Sequence, residues 1–177
     1  LQVLSLPLKV PTDGMFKLLP KLDRLQNFSM PALPSPDISL MLSVITSTLQ
    51  SLTKVDSYYR VRDETPLESS AIWSKFQHLE TLFLAGFHFG STPFPPLTQL
   101  RSLTVMDITN ASQLSEAMRV MTSLTLLKVG SRIKESVTRI VEAIGNHSQL
   151  THLTLSNLLM SQSDLDLLAT ALSKTKE

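Results

Sequence analysis

Apolar residues recur along this chain at one spacing. Phe76, Leu79, Leu82 and Leu84 are separated by three, three and two residues, and the same spacing returns at 97–105 and at 121–129. A fourth copy, at 147–155, has His147 where the others begin with an apolar residue. The alternation at the end of each copy predicts a short strand with one face in a core. A unit repeated in this way predicts a stack of similar units, each contacting its neighbours.

Seven such units are predicted, and two of them are irregular. They are taken to begin at Leu1, Leu22, Leu49, Leu79, Leu100, Leu124 and Leu150, which gives spacings of 21, 27, 30, 21, 24 and 26 residues. The units at Leu22 and Leu49 place Asn27 and Lys54 where an inward apolar residue is expected, and Phe28 and Val55 follow one position later. We therefore expect a bulge or a shift of register in these two strands.

Between the strands the apolar period changes to that of a helix. Residues 133, 137, 140, 141 and 144 are Ile or Val and share one helical face, and Gly145-Asn146 is expected to end that helix in a left-handed cap. Ser161 and Asp164 have the spacing of a capping box before a last helix, as do Thr65 and Glu68 before another. Further helices are expected after Pro36-Asp37 and from near Ser112 to about 121.

The Leu-x-x-Leu-x-Leu units, 21 to 30 residues apart, resemble the leucine-rich-repeat family over essentially the whole chain. Helices between most strands make the irregular, helix-containing subclasses the better match, ribonuclease-inhibitor-like or F-box-type. The resemblance implies an α/β solenoid of about seven repeats, with a curved parallel sheet on the concave side and helices and loops on the convex side. We treat 1–177 as one leucine-rich-repeat domain and, because Leu1 already lies in a unit, as a fragment of a longer chain.

The outward strand positions are the predicted partner-binding surface, because side chains alternate between the two faces of a strand. Phe83, Met106 and Leu126 are expected to be exposed apolar residues among short polar ones, as at the centre of a protein interface. A polar insertion at 56–65 carries Tyr and Arg, residue types common in binding hot spots. The candidate residues are Arg24, Gln26, Thr81, Phe83, Ser102, Thr104, Met106, Leu126, Lys128 and His152 on the strands, and Tyr58, Tyr59 and Arg60 in the insertion.

Composition and charge favour other functions less. The net charge is +1 with no basic stripe, which disfavours nucleic acid, and no apolar run approaches the ~20 residues that span a membrane. There is no cysteine, no Gly-x-Ser-x-Gly sequence and no phosphate-binding glycine loop. The four histidines, His78, His88, His147 and His152, lack the spacing of a metal site and are expected at the surface or in turns. We expect no metal, no cofactor and no catalytic residue.

These observations favour a non-enzymatic domain that binds a protein ligand on the concave face and adjoining loops. The resemblance implies a sensor or adaptor role, as in intracellular innate immune receptors or F-box substrate receptors. Two alternatives stay open: a scaffold that packs on flanking domains of its own chain, or repeats appended to an enzyme such as a ubiquitin-ligase component. We expect a cytoplasmic protein, or an extracellular one if the sequons at Asn27, Asn110 and Asn146 are glycosylated.

Overall fold

Strands and helices alternate along the described parts of this computed structural model. The structure describes residues 2–5, 17, 21–22, 24–30, 54–58, 76, 78–86, 97–107, 111–130 and 137–173. The strands there are β1 (Val3–Ser5), β2 (Asn27–Met30), β3 (Lys54–Tyr58), β4 (Thr81–Ala85), β5 (Ser102–Met106), β6 (Leu126–Gly130) and β7 (His152–Ser156). The helices are α1 (Ala111–Met118), α2 (Thr138–Ile144) and α3 (Gln162–Leu172).

All seven strands belong to one parallel sheet in which their order along the chain is also their order in space, β1 to β7. Each strand from β2 to β6 therefore pairs with its predecessor and its successor, and the helices that connect β5 to β6 and β6 to β7 are parallel crossovers. The helices pack in the same order, α1 against α2 and α2 against α3. The predicted α/β fold with a parallel sheet is confirmed.

One hydrogen-bonded turn precedes five of the strands. Its donor is the backbone N–H of Leu25, Leu79, Leu100, Leu124 or Leu150, and its acceptor is the carbonyl three residues earlier, that of Leu22, Phe76, Leu97, Met121 or His147 respectively. Equivalent residues of the units can therefore be identified from the backbone. Leu25 corresponds to Leu79, and Leu22 corresponds to Phe76 and not to Leu79.

This correspondence corrects the alignment of the two irregular units. The Cα of Phe28 pairs with that of Val55, and Val55 pairs with Leu82. Phe28 is 1 % exposed, so it is the inward core residue of its unit, at the position of Leu82. No bulge is needed, because the unit begins three residues later than expected. From β1 to β7 the first paired residues, 3, 27, 54, 81, 102, 126 and 152, are separated by 24, 27, 27, 21, 24 and 26 residues.

The core lies on the face of the sheet that carries the leucines. Leu82, Leu103 and Leu127 are fully buried and belong to one cluster with the inner residues of α1 and α2. On β4 and β5 buried and partly exposed positions alternate strictly, which is the pattern of a sheet covered on one face. Since burying each leucine contributes roughly 1.5–3 kcal/mol, this inner face contributes most to the stability of the stack.

The helix ends agree with the predictions in part. The predicted capping box of α3 is present: Ser161 Oγ accepts from the Asp164 N–H at 3.2 Å, and the Asp164 carboxylate accepts from the Ser161 N–H at 2.9 Å. The left-handed cap after α2 is wrong, because Gly145 has φ −61°. A Cβ at Gly145 would lie 3.4 Å from Ala171 Cβ, so glycine there allows α3 to approach closely. The helices expected near Thr65 and after Pro36 lie outside the described residues.

The strands end at a left-handed backbone position. Gly86, Asp107 and Asn157 directly follow β4, β5 and β7 and have φ of 74°, 54° and 55°. The N–H of Gly86 donates to the Met106 carbonyl, and that of Asp107 to the Gly130 carbonyl. Gly, Asp and Asn tolerate this conformation better than other residues, so the sequence here ends each strand at an equivalent place.

Candidate functional site

The face of the sheet opposite the core is the candidate site, and we call it the open face. Side chains alternate along β4, β5 and β6, so the residues between the buried leucines point to this face. They form three rows that run across the strands. The first row is Thr81, Ser102, Leu126 and His152; the middle row is Phe83, Thr104, Lys128 and Thr154; the third row is Ala85, Met106, Gly130 and Ser156.

The apolar residues of the open face are dispersed around one threonine. Phe83, Met106 and Leu126 occupy different rows on β4, β5 and β6, and Thr104 stands between them on the central strand. All three are partly buried, so the exposure that the sequence predicted is present only in part. Neighbouring strands are ~4.8 Å apart, so a partner side chain above Thr104 could reach each of them. The arrangement suits a ligand that covers several strands.

Met106 lies sideways over β6. A Cβ added at Gly130 would meet Met106 Cε at 2.6 Å, Met106 Sδ at 2.7 Å and Ser156 Oγ at 2.7 Å. The thioether therefore occupies the space that any larger residue at position 130 would fill, and Gly130 is buried beneath it. A flexible methionine over a glycine is a surface that can adapt its shape to a partner.

The open face is basic towards β7. Lys128 and His152 are exposed on adjacent strands, and the Thr151 hydroxyl lies 2.9 Å from His152 Nδ1. The outward residues of β4 and β5 are Thr, Phe, Ala, Ser and Met, so the open face carries no charged side chain on these two described strands. The surface thus changes from uncharged residues on β4 and β5 to the lysine charge of Lys128 on β6.

Two predicted site residues lie off the strands. Arg24 is in the exposed turn before β2, and Gln26 is exposed one residue before that strand. Their assignment to the outward rows is wrong because it rested on Leu22 as the start of the unit. By register Asn27 extends the first row and Ser29 the middle row, and the Cα atoms of Lys54 and Asp56 on β3 pair with those of Thr81 and Phe83. Aligning Leu22 with Phe76 in the sequence would have identified Asn27 and Ser29 as the outward residues of β2.

The Tyr-Arg insertion is described only at its start. Tyr58 is the last residue of β3, and its Cα pairs with that of Ala85, so this residue belongs to a strand and not to a loop. Tyr59 and Arg60 lie outside the described residues. Among the sequons, Asn146 is exposed in the turn after α2 and Asn27 is a partly buried strand residue, whereas Asn110 lies outside the described residues.

The histidines are in three different settings. His78 is exposed in the turn before β4, and His152 is exposed on the open face, in agreement with the expected surface or turn positions. His147 is in a turn as expected, but it is 1 % exposed, so this turn directs the side chain into the core. It occupies the inward position that Phe76 and Met121 fill in other units. His88 lies outside the described residues.

No cluster of three or more His, Asp or Glu side chains that could hold a metal ion occurs in the part of the chain that the structure describes. Over the same residues, no helix has the length and apolarity needed to cross a bilayer.

Comparison with known proteins yields fold neighbours only. No protein-family model matches the sequence, and no curated protein matches it. The tropomodulin C-terminal domain from Caenorhabditis elegans superposes with a TM-score of 0.50 at 10% sequence identity, over 94% of this chain and 93% of that chain. Internalin C2 from Listeria monocytogenes superposes with a TM-score of 0.52 at 18% identity, over 85% of this chain and 60% of that chain. Both are of leucine-rich-repeat type, and this likeness supports a fold of that type.

Proposed function

We propose that this chain is a non-enzymatic recognition domain, a leucine-rich-repeat solenoid of about seven repeats that binds a protein ligand on its open face. The observation that carries the proposal is the contrast between the two faces of β4 and β5. The inward residues are fully buried, while Phe83, Thr104 and Met106 on the other face remain partly exposed. Large apolar side chains on an open sheet face are typical of binding surfaces.

The binding residues of this proposal are eight of the outward residues of β4 to β7: Thr81, Phe83, Ser102, Thr104, Met106, Leu126, Lys128 and His152. Phe83 carries the largest share, because covering a phenylalanine contributes roughly 1.5–3 kcal/mol. Exposed Lys128 and His152 favour a ligand with a carboxylate at the β6–β7 side. A sensor or substrate-receptor role in the cytoplasm, in a helix-containing subclass of the family, is the form of the proposal that the sequence favours.

A photo-cross-linking experiment tests this proposal. Benzoylphenylalanine replaces Thr104, which stands between the apolar residues, and in a matched control variant it replaces Glu142, which is exposed on α2. We expect a second protein to be cross-linked from position 104 and not from position 142, in extracts of cells that produce this protein. The partner is then identified by mass spectrometry of the cross-linked product.

Phe83→Asp is the variant that links the cross-link to the open face. We expect about 10- to 150-fold weaker binding of the identified partner, since 1.4 kcal/mol corresponds to a tenfold change, with the circular dichroism spectrum unchanged. Glu142→Lys is the control for a changed surface charge on α2 and should bind normally. Equal capture from both positions, or unchanged binding by Phe83→Asp, would contradict the proposal. Cross-links confined to the same polypeptide would favour the alternative, a scaffold for flanking domains.

A further inference from the structure

His147 is a titratable side chain in the core. Its backbone belongs to the turn between α2 and β7: the His147 N–H donates to the Ile144 carbonyl at 3.0 Å, and the His147 carbonyl accepts from the Leu150 N–H at 3.2 Å. The same turn directs Phe76, Leu97 and Met121 inwards in other units, where each is buried. The repeat geometry therefore places the imidazole where other units have an apolar side chain.

Neither ring nitrogen of His147 makes a hydrogen bond within the described structure. A neutral imidazole has one donor and one acceptor, and leaving both unsatisfied in a core is unfavourable. Burial lowers the pKa of His147, and the nearby Met118 backbone acts in the opposite, weaker direction without completing a hydrogen bond to the ring. The closed core thus holds the ring in its neutral form, because a charged imidazolium there has no partner.

No described charged group compensates a proton on this ring. The charged and titratable side chains on the surrounding elements are exposed, with the exception of Asp164. None of these side chains, Asp164 included, shifts the pKa of His147. The Asp164 carboxylate accepts hydrogen bonds from Thr138 and Ser161 and is already satisfied. The full set is Glu116 and Arg119 at α1, Arg139 and Glu142 on α2, Lys128 on β6, His152 on β7, and Asp164 and Asp166 on α3.

The element that follows His147 is the least buried part of the described core. Leu153 and Leu155 on β7 and Leu168 on α3 are only partly buried, although they pack against the main cluster. In a stack of repeats a unit with a less buried core can open locally while the others stay folded. His147 lies at the junction between this unit and α2.

We propose that protonation of His147 releases β7 and α3 from β6 and α2, so that the last described unit opens in mild acid. The opened unit would uncover the inner faces of β6 and α2, which carry Leu127, Val129 and Ile144. This inference concerns regulation of the fold and is independent of the partner proposed for the open face.

The direction of the pH effect follows from the two states. In the opened unit His147 has its ordinary pKa of 6.5, and in the closed unit its pKa is lower. The opened state therefore binds the proton more tightly. The closed state is fully favoured well above pH 6.5, and the opening equilibrium rises about tenfold per pH unit below it, until the pKa of the closed state is reached.

Hydrogen exchange followed by mass spectrometry measures this opening. Rates are recorded between about pH 7.5 and 5.5 and divided by the intrinsic rates at each pH. We expect the opening constant for amides of 150–172 to be about tenfold larger at pH 5.5 than at pH 7.5, while amides of 102–118 change less than about twofold. An equal rise in both segments would mean global unfolding and would overturn the proposal.

Two matched variants assign the effect to one histidine. His147→Met introduces the side chain of Met121 at the same place and should abolish the pH dependence of 150–172. The combined variant His78→Gln, His88→Gln, His152→Gln keeps only His147 and should retain it. Unchanged pH dependence in His147→Met, or its loss in the combined variant, would overturn the proposal. If His147→Met does not fold, His147→Leu takes its place, because Leu97 is the residue at the equivalent position of another unit.

NMR of the unmodified chain provides a reading that needs no variant. The His147 ring carbon Cε1 should keep the chemical shift of a neutral imidazole until the β7 amides lose protection. A complete titration of this ring near its ordinary pKa of 6.5 with β7 still protected would overturn the proposal.

Discussion

The unit at β6 and the unit at β7 have the same strand pattern and different burial. Leu127 and Val129 on β6 are buried completely or almost so, whereas Leu153 and Leu155 at the paired positions of β7 are partly exposed. The helices differ in the same way. Ile140, Val141, Ala143 and Ile144 of α2 are buried, but on α3 only Asp164 and Ala171 are.

The difference shows that position in the stack, and not residue type, determines how much a leucine contributes. A leucine of β6 lies between two described strands, β5 and β7, whereas β7 pairs with β6 alone among the residues that the structure describes. In a repeat fold the free energy of unfolding is approximately the sum of the units and of the interfaces between neighbours. A leucine at the end of the described stack should therefore be worth less than an identical one within it.

Replacing Leu127 or Leu153 by alanine is the strongest test of the difference in burial between β6 and β7. Leu127→Ala should lower the free energy of unfolding by about 2–5 kcal/mol, because it leaves a cavity in a fully buried site. Leu153→Ala should lower it by no more than about 2 kcal/mol, because the site is already partly hydrated. Urea denaturation followed by circular dichroism measures both values. Equal losses would show that β7 is as well covered as β6.

Breaking the α3 cap tests how firmly the end unit is joined. Ser161→Ala removes the capping hydroxyl and should cost about 1 kcal/mol of stability. Asp164 joins the same cap to α2, because it also accepts a hydrogen bond from Thr138. The comparison is sharpened by Thr170→Ala, on the exposed side of α3, which should have a much smaller effect. A loss at Ser161 no larger than at Thr170 would show that the cap does not contribute.

The pH dependence at Asp164 has the same sign as that at His147, because the folded state lowers both pKa values, but it lies at lower pH and is caused by hydrogen bonds instead of burial. Hydrogen bonds from the Thr138 side chain and then from the Ser161 side chain and backbone lower the pKa of Asp164, and burial opposes them only weakly although the residue is 4 % exposed. The contribution is present above the ordinary value of 3.8 and is lost as the pH falls through the lower folded value. Asp164→Asn should remove this dependence below about pH 4 in urea titrations. If Asp164→Asn lost stability below about pH 4 as the unmodified chain does, this prediction would be wrong.

The smallest expected effect is at Leu159, which is 78 % exposed after β7. Leu159→Ser should change the free energy of unfolding by less than about 0.5 kcal/mol, because a solvated side chain loses little on replacement. The same denaturation series measures it. A loss of more than about 1 kcal/mol would mean that a segment covers Leu159 in solution, and would narrow the difference between the two units.

Much of the fold was predictable from the chain. The Leu-x-Leu alternation predicted β4 to β7, the Ile and Val period predicted α2, and Ser161 and Asp164 predicted the start of α3. These signals are local, since a strand, a helical face and a capping box each depend on residues a few positions apart. The open face could be predicted in outline for the same reason.

The errors arose where a distant contact decides. Leu22 and Leu25 fit the repeat in two ways, and the pairing of Phe28 with Val55 on the neighbouring strand selects one of them. The sequence spacing placed His147 in a turn but could not show that the turn directs its ring into the core. Likewise Gly145 resembled a left-handed cap, although its role is to let Ala171 approach α2.

By itself the sequence determined the repeating unit, its strand and helix, and the residues that can face inwards. Those properties follow from side-chain periodicity, which is set by the geometry of one backbone segment. Only the tertiary structure decided the alignment of the second and third units, the scatter of Phe83, Met106 and Leu126 around Thr104, and the unequal burial of β6 and β7. Each of these depends on which neighbouring unit lies against a residue, and a single unit carries no information about its neighbours.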